Sequence, residues 1–315
     1  MEKSGFRSFG KILFILLLAS TGIQAQKTTE ILLISAPKFA QPLVEGWISE
    51  YSKSHPGYTI QLQNNATKDL TPQLNLVVEP TSATIKEEDN KIIYTGRYAL
   101  VPVTNSHNAI LTQIGKKRLD KKTLDNVFFE PKLDDLDEED VADSKPKYQV
   151  TVYSAENQLR LSSILASHYG HLSSELRGKK VLGDEIYLIT ALRKDTTGVS
   201  FNSLSYLYDL STRNLKPDLT VLPIEVKKEA RIQLNGSADD LISLLESNRI
   251  ETIPVGRIGF TYNQTGNQEV LASFLQWTLT EGQKVNHKQG FLQADEMDRS
   301  IAQRALESGK LLTLK

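Results

Sequence analysis

The chain has 315 residues, 37 Lys and Arg against 38 Asp and Glu, and no Cys. A formal charge of −1 without a basic patch or domain argues against nucleic-acid binding, and the absence of Cys excludes disulfides and a cysteine nucleophile. The hydrophobic and charged fractions, 39% and 24%, are those of a globular protein, and at about 100 to 150 residues per domain the length predicts two lobes.

Lys3, Arg7 and Lys11 precede the apolar run Ile12 to Leu18, and small and polar residues then lead to Ala25. This is the layout of a secretory signal peptide, residues 1–25, with cleavage expected before Gln26. The run is far shorter than the roughly 20 residues that span a bilayer. No Cys follows it for lipid attachment, so a soluble periplasmic product is expected.

Thr29 to Ser35 reads as a buried strand, and Leu43, Val44, Trp47, Ile48 and Tyr51 recur at helical spacing until Pro56-Gly57. Tyr58 to Leu62 and Asn75 to Val78 are further strands. Strand, helix, strand with near-continuous apolar strands predicts a parallel sheet covered on both faces. Two stretches of similar texture, Tyr98-Ala-Leu-Val-Pro-Val and Leu219-Thr-Val-Leu-Pro-Ile, then bracket about a hundred residues. Pro102 and Pro223 suit edges or bulges, so both stretches are predicted to be segments crossing between lobes.

Within the bracket lie a basic helix start at Lys116 to Lys122, an acidic stretch, and two strand-helix units. In the first, a strand at Tyr148 to Tyr153 precedes a helix from about Gln158 to Tyr169. In the second, a strand at Ile186 to Leu192 precedes a helix from about Ser200 to Leu210. Beyond the second crossing, Ser237-Ala-Asp-Asp240 resembles a capping box for a helix buried through Leu241, Ile242, Leu244 and Leu245. Ile253 to Tyr262 reads as a strand and Glu269 to Thr280 as a helix.

Residues 134–143 hold seven acidic side chains, but without the Gly and the alternating ligands of a calcium loop they read as a solvated surface. His168 and His171 are three apart, yet Gly170 between them ends the helix and no third ligand is spaced nearby. There is no His-Glu-x-x-His, no Gly-x-Ser-x-Gly and no phosphate-cradling Gly-x-x-x-x-Gly-Lys. These absences point away from an enzyme, and no metal or cofactor is expected.

Three turns carry the remaining chemistry: Ser35-Ala-Pro-Lys38, Ser154-Ala-Glu-Asn157-Gln158, and Asp195-Thr196-Thr197-Gly198. Each is read as leaving a strand for a helix, where free backbone N–H groups and the positive dipole end favour an anion. The same Ser, Thr, Asn and Asp also serve as plain N-caps. Together the three turns predict a ligand cleft at the carboxyl ends of the strands, formed by Ser35, Lys38, Ser154, Asn157, Gln158, Thr196, Thr197 and Gly198.

The stretches Ile253 to Asn263, Glu269 to Gln283 and Gly290-Phe-Leu, together with Tyr98 to Asn105 and Thr197 to Tyr206, resemble the phosphate-type periplasmic solute-binding proteins. The resemblance implies an α/β fold of type 2 periplasmic binding proteins: two Rossmann-like lobes, two crossing segments and a ligand between them. Lobe 1 is expected over 26–103 plus 226–315, and lobe 2 over 104–225. It further implies a non-catalytic, monomeric receptor for a small polar ligand such as phosphate, with the membrane components of an importer as partners. The chain departs from the family at Ser154 to Arg160, which lacks the Gly and Thr of a Ser-Gly-Thr run and carries Glu156, and at the first turn, reduced to Ser35-Ala-Pro. The rival expectation is a degenerate binding-protein fold serving as an envelope interaction or assembly module without a small ligand.

Overall fold

The computed structural model describes residues 31–80, 92–131, 148–155, 161–247, 249–263 and 265–307. The predicted leader and the acidic run lie outside them. The strands, in chain order, are β1 (Ile31–Ser35), β2 (Thr59–Leu62), β3 (Leu74–Pro80), β4 (Ile92–Asn105), β5 (Thr151–Ala155), β6 (Lys179–Val181), β7 (Gly198–Ser203), β8 (Leu219–Val221) and β9 (Val255–Tyr262). The helices are α1 (Gln41–Ser54), α2 (Ile110–Ile114), α3 (Lys121–Phe128), α4 (Leu161–Tyr169), α5 (Glu185–Lys194), α6 (Leu204–Leu207), α7 (Arg231–Leu234), α8 (Ala238–Ser247), α9 (Gln268–Leu279), α10 (Gln283–Lys288) and α11 (Glu296–Glu307).

The apolar run of β1 buries Leu32, Leu33 and Ile34, and α1 buries Leu43, Val44, Trp47 and Tyr51 on one face. Side chains of this size contribute about 1.5 to 3 kcal/mol each when fully buried. Strands β2 and β3 both pair with β1 in parallel, as the apolar pattern predicts. Strand β3 then lies antiparallel to β9, and β9 antiparallel to β4. The predicted capping box is present: Ser237 N donates to Asp240 Oδ2 at 2.9 Å, and Asp240 N returns a bond to Ser237 Oγ at 3.2 Å.

Strand β4 joins the two halves. Through Ala99 it pairs with β9, and from Leu100 onward it pairs with β7 on one side, with β8 joining on the other. Beyond β7 come β5 and β6, both in parallel register with their neighbour. The hydrogen-bonded path therefore runs unbroken through a strand that belongs to both halves. At the changeover Gly256 makes room for the ring of Tyr98, which a Cβ there would approach to 2.7 Å.

Pro102 is not at an edge, contrary to the sequence expectation. It sits opposite Phe201 of β7, and its carbonyl accepts from Leu222 N at 2.9 Å. A residue in an antiparallel ladder directs its N and its carbonyl to the same side. The missing N–H of Pro102 thus faces the point just past the end of β8, where no strand partner is lost.

The unit over 186–210 is inverted relative to the sequence expectation. Residues Glu185 to Lys194 form α5, which buries Glu185, Leu188, Ile189 and Leu192 at helical spacing, and the strand is Gly198 to Ser203. All six residues of β7 are buried, because it lies between β4 and β5 with both faces covered. A strand in that position shows no alternation, and a short apolar run has no period that separates helix from strand.

Candidate functional site

The three predicted turns do not converge. The first follows β1 as expected. Ser35 is half-buried and pairs through its backbone with Asn75, and Lys38 to Ala40 form a 3-10 turn leading into α1 with no side-chain cap. Phe39 turns inward onto Tyr98 and Phe291, with ring centroids 5.4 and 6.1 Å away, while Lys38 is exposed. The hydrophobic plug fixes this turn to the core.

Ser154, next to last in β5, is in register with Lys180 of β6, and Lys180 Nζ donates to Ser154 Oγ at 3.1 Å and to the Leu176 carbonyl at 2.9 Å. Desolvation of the ammonium lowers its pKa. Lys180 was not legible in the sequence, since its three-residue strand carries no periodic signal. The space beside Ser154 is about 20 Å³, lined chiefly by apolar side chains including Leu100, Leu161 and Phe201. That is room for about one water. Asn157 and Gln158 lie outside the described residues.

Thr196, Thr197 and Gly198 lead from α5 into β7, so they stand at the carboxyl end of one helix and not at the amino end of another. The dipole there disfavours an anion, and the reason given for an oxyanion site at this turn fails. Thr197 closes an Asx turn in which its N–H and Oγ–H donate to Asp195 Oδ1 at 2.8 and 2.7 Å. Tyr153 donates to Asp195 Oδ2 at 2.9 Å. Burial works against ionisation, yet these bonds hold the Asp195 carboxyl below its usual pKa. Because β5 and β7 are parallel with Thr151 opposite Gly198, this turn lies at the opposite end of the strands from Ser154, about 10 Å away.

A larger cavity opens elsewhere, between α4 and the segment that ends α8 and enters β9. It measures about 480 Å³, and Ile164, Ser167 and His168 of α4 face Leu245, Arg249 and Ile253 across it. Pro80, Arg97, Lys121 and Asp295 complete its ends, whereas Ser35, Lys38, Ser154 and Thr197 do not line it.

The charges in this cavity are sorted. At one end Arg97 Nη1 meets Asp295 at 3.0 Å and its Nε donates to the Gln293 carbonyl at 2.8 Å. Beside it Glu246 accepts from His287 Nε2 at 2.8 Å and from Gln293 N at 2.7 Å. At the other end Lys121 Nζ lies 5.5 Å from the centroid of the Tyr169 ring, and Arg249 is exposed. Among the described residues neither Lys121 nor Arg249 has a carboxylate within ion-pair distance.

His168 lies in the field of both cations. Its Nε2–H donates to the Glu251 carbonyl at 2.6 Å. Burial lowers its pKa, the carbonyl bond opposes that, and Lys121 and Arg249 lower it further. The imidazole is therefore neutral at pH 7. His171 turns away past Gly170, whose positive φ of 78° ends α4, and lies 2.8 Å from both Asp125 and Glu175. The two histidines thus have separate partners.

No family model and no curated protein matches this sequence. Solved structures do. A possible phosphate binding protein from Planctomyces limnophilus DSM 3776 aligns over 90% of this chain and 99% of its own, at 10% identity and a TM-score of 0.50. A protein from Clostridium perfringens, assigned as a phosphate ABC transporter substrate-binding protein and holding bound phosphate, aligns over 84% and 100%, at 13% identity and 0.55. An ABC-type phosphate transport receptor from Vibrio cholerae aligns over 84% and 100%, at 12% identity and 0.53. At such identities the likeness establishes the fold, and the chain has the two-lobed α/β type 2 periplasmic binding fold. Among the described residues no helix is long and apolar enough to cross a membrane.

Proposed function

We propose that this protein is an exported solute receptor that captures a small anionic ligand between its lobes and hands it to the membrane components of an importer. The observation that carries the reading is the cavity of about 480 Å³, which takes one wall from α4 and the other from residues 245–255 and presents Lys121 and Arg249. Its size falls within the range of ligand pockets, about 300 to 1,000 Å³. The similar structures from Clostridium perfringens and Vibrio cholerae, named as phosphate transport proteins, support capture for uptake. The basic leader supports export to the periplasm. The chain acts as a monomer without catalysis, with lobe 2 inserted between two parts of lobe 1. We place the first boundary at Ala99/Leu100, where β4 changes partners, and the second near 225/226.

A second reading has its own observation. The space at Ser154 is about 20 Å³ and Phe39 plugs the first turn, which suits a binding fold retained as an interaction module without a ligand. Small-angle scattering and calorimetry with phosphate, sulfate and organic anions separate the two. A receptor compacts and releases or absorbs heat; a module does neither at millimolar anion.

A further inference from the structure

We infer that the ligand is an organic anion, a carboxylate or phosphate head on an apolar body, and not inorganic phosphate. This rests on the receptor reading above and names the ligand class for the same cavity. Three observations carry it.

The first is size. A tetrahedral oxyanion occupies on the order of two or three water volumes of about 30 Å³ each, and a cavity of about 480 Å³ is several times that. The second is the wall. Ile164, Leu245, Ile250 and Ile253 are buried residues that give the cavity an apolar share of its lining beside its charged groups. A fully hydrated anion gains nothing from such a surface, whereas an alkyl or aryl body gains roughly fourfold in affinity per methylene removed from water. The third is the division of charge. Arg97 is committed to Asp295 and the Gln293 carbonyl, and Glu246 to His287 and Gln293 N, so the charged groups there already have partners. Lys121 and Arg249 remain as the pair that an anionic head can reach, and both also border an adjoining groove of mixed charge, with Lys122 and Lys227 set among Asp120, Glu225 and Glu251. The head is thus directed to the Lys121/Arg249 end and the body to the isoleucine and leucine wall.

The test is titration calorimetry of the full exported chain with inorganic phosphate, butyl phosphate, hexyl phosphate and hexanoate. The geometry requires affinity to rise several-fold from inorganic to butyl phosphate and again to hexyl phosphate. Arg249→Gln and Lys121→Gln should each weaken hexyl phosphate at least tenfold. Ser167→Trp, which places an indole from an exposed position of α4 into the cavity, should abolish binding in a variant whose thermal unfolding remains cooperative. Inorganic phosphate binding as tightly as hexyl phosphate, and indifferent to all three substitutions, would overturn the ligand class and leave the receptor reading standing. No heat from any of the four anions would overturn both.

Discussion

The phenolic O–H of Tyr169 donates to the Thr252 carbonyl at 2.9 Å, and the same ring lies under Lys121 Nζ. One side chain thereby ties the end of α4 to the segment entering β9 and positions a cation at the cavity. Thr252 is buried, so its carbonyl has little access to water in place of this donor. Tyr169→Phe should cost about 1 to 3 kcal/mol, the range for leaving a buried acceptor unmade. Urea unfolding checks it: the midpoint falls with the slope unchanged, since the exposed surface is the same. A midpoint equal to wild type would remove the tie from the account.

The turn after α5 yields the opposite kind of prediction. Asp195 accepts from Thr197 N, Thr197 Oγ1 and Tyr153 Oη, so Asp195→Ala removes three bonds, whereas Thr197→Ala removes two exposed ones, to Asp195 and to Thr151 Oγ1. We expect Asp195→Ala to destabilise by about 1 to 3 kcal/mol and Thr197→Ala by under about 1. Thr196→Ala should lie within about 0.5, as for exposed positions away from special features. None of the three should alter the affinity for any anion by calorimetry. A loss of binding in Thr197→Ala would restore this turn as a ligand site.

That turn also marks where the sequence stops being readable. Elements with a strong period were legible: α1 through Trp47 and Tyr51, α8 through its Ser237/Asp240 box, α9 through Leu271, Phe274 and Leu275. The parallel pairing of β1 with its neighbours followed from an apolar run too uniform to have a solvent face. Over 186–203 the period was silent, since α5 is short and β7 is buried on both faces, and the order of helix and strand was read backwards. An anion at Thr196, Thr197 and Gly198 requires the reverse order, and the helix dipole at this carboxyl end repels it. The cavity itself was not legible. Lys121, His168 and Arg249 are brought together from three separate segments, and nothing in their local spacing announces that contact. In the sequence Lys121 is one of several lysines at a basic helix start, and His168 stands out only for its spacing from His171.

Glu185 sets a pH dependence of stability. It is fully buried at the start of α5, accepts from Ser203 N at 2.7 Å and Ser203 Oγ at 2.8 Å, and has Asn202 Nδ2 at 3.3 Å. Burial pushes its pKa up to about 7 in spite of those donors. A carboxyl whose folded pKa exceeds its unfolded value is held protonated by the fold. The stability it contributes is complete below the unfolded value of 4.5 and is lost as pH rises through about 7. Denaturant titrations between pH 5 and 8 should show stability falling with pH, and Glu185→Gln should flatten that slope. An identical slope in the variant would assign the titration to another group.

The last prediction couples His168 to ligand. In the free protein its imidazole is neutral at pH 7, because burial and the cations Lys121 and Arg249 outweigh the Glu251 carbonyl. An anionic head placed between Lys121 and Arg249 cancels part of their field and adds attraction for imidazolium, so bound His168 has the higher pKa. Binding must then take up a fraction of a proton, and affinity must grow as pH falls from 8 toward 5.5, up to about tenfold per unit by which the anion raises that pKa. Below the pKa of the free form the gain stops, since both states are then protonated. Calorimetry in two buffers of different ionisation enthalpy measures the proton directly, and His168→Gln should abolish both the proton uptake and the pH slope. An anion that itself titrates in this window would mimic the effect, so hexanoate is the probe; its carboxylate stays ionised above about pH 5.5. Proton uptake that persists in His168→Gln would place the titrating group elsewhere and remove His168 from the coupling.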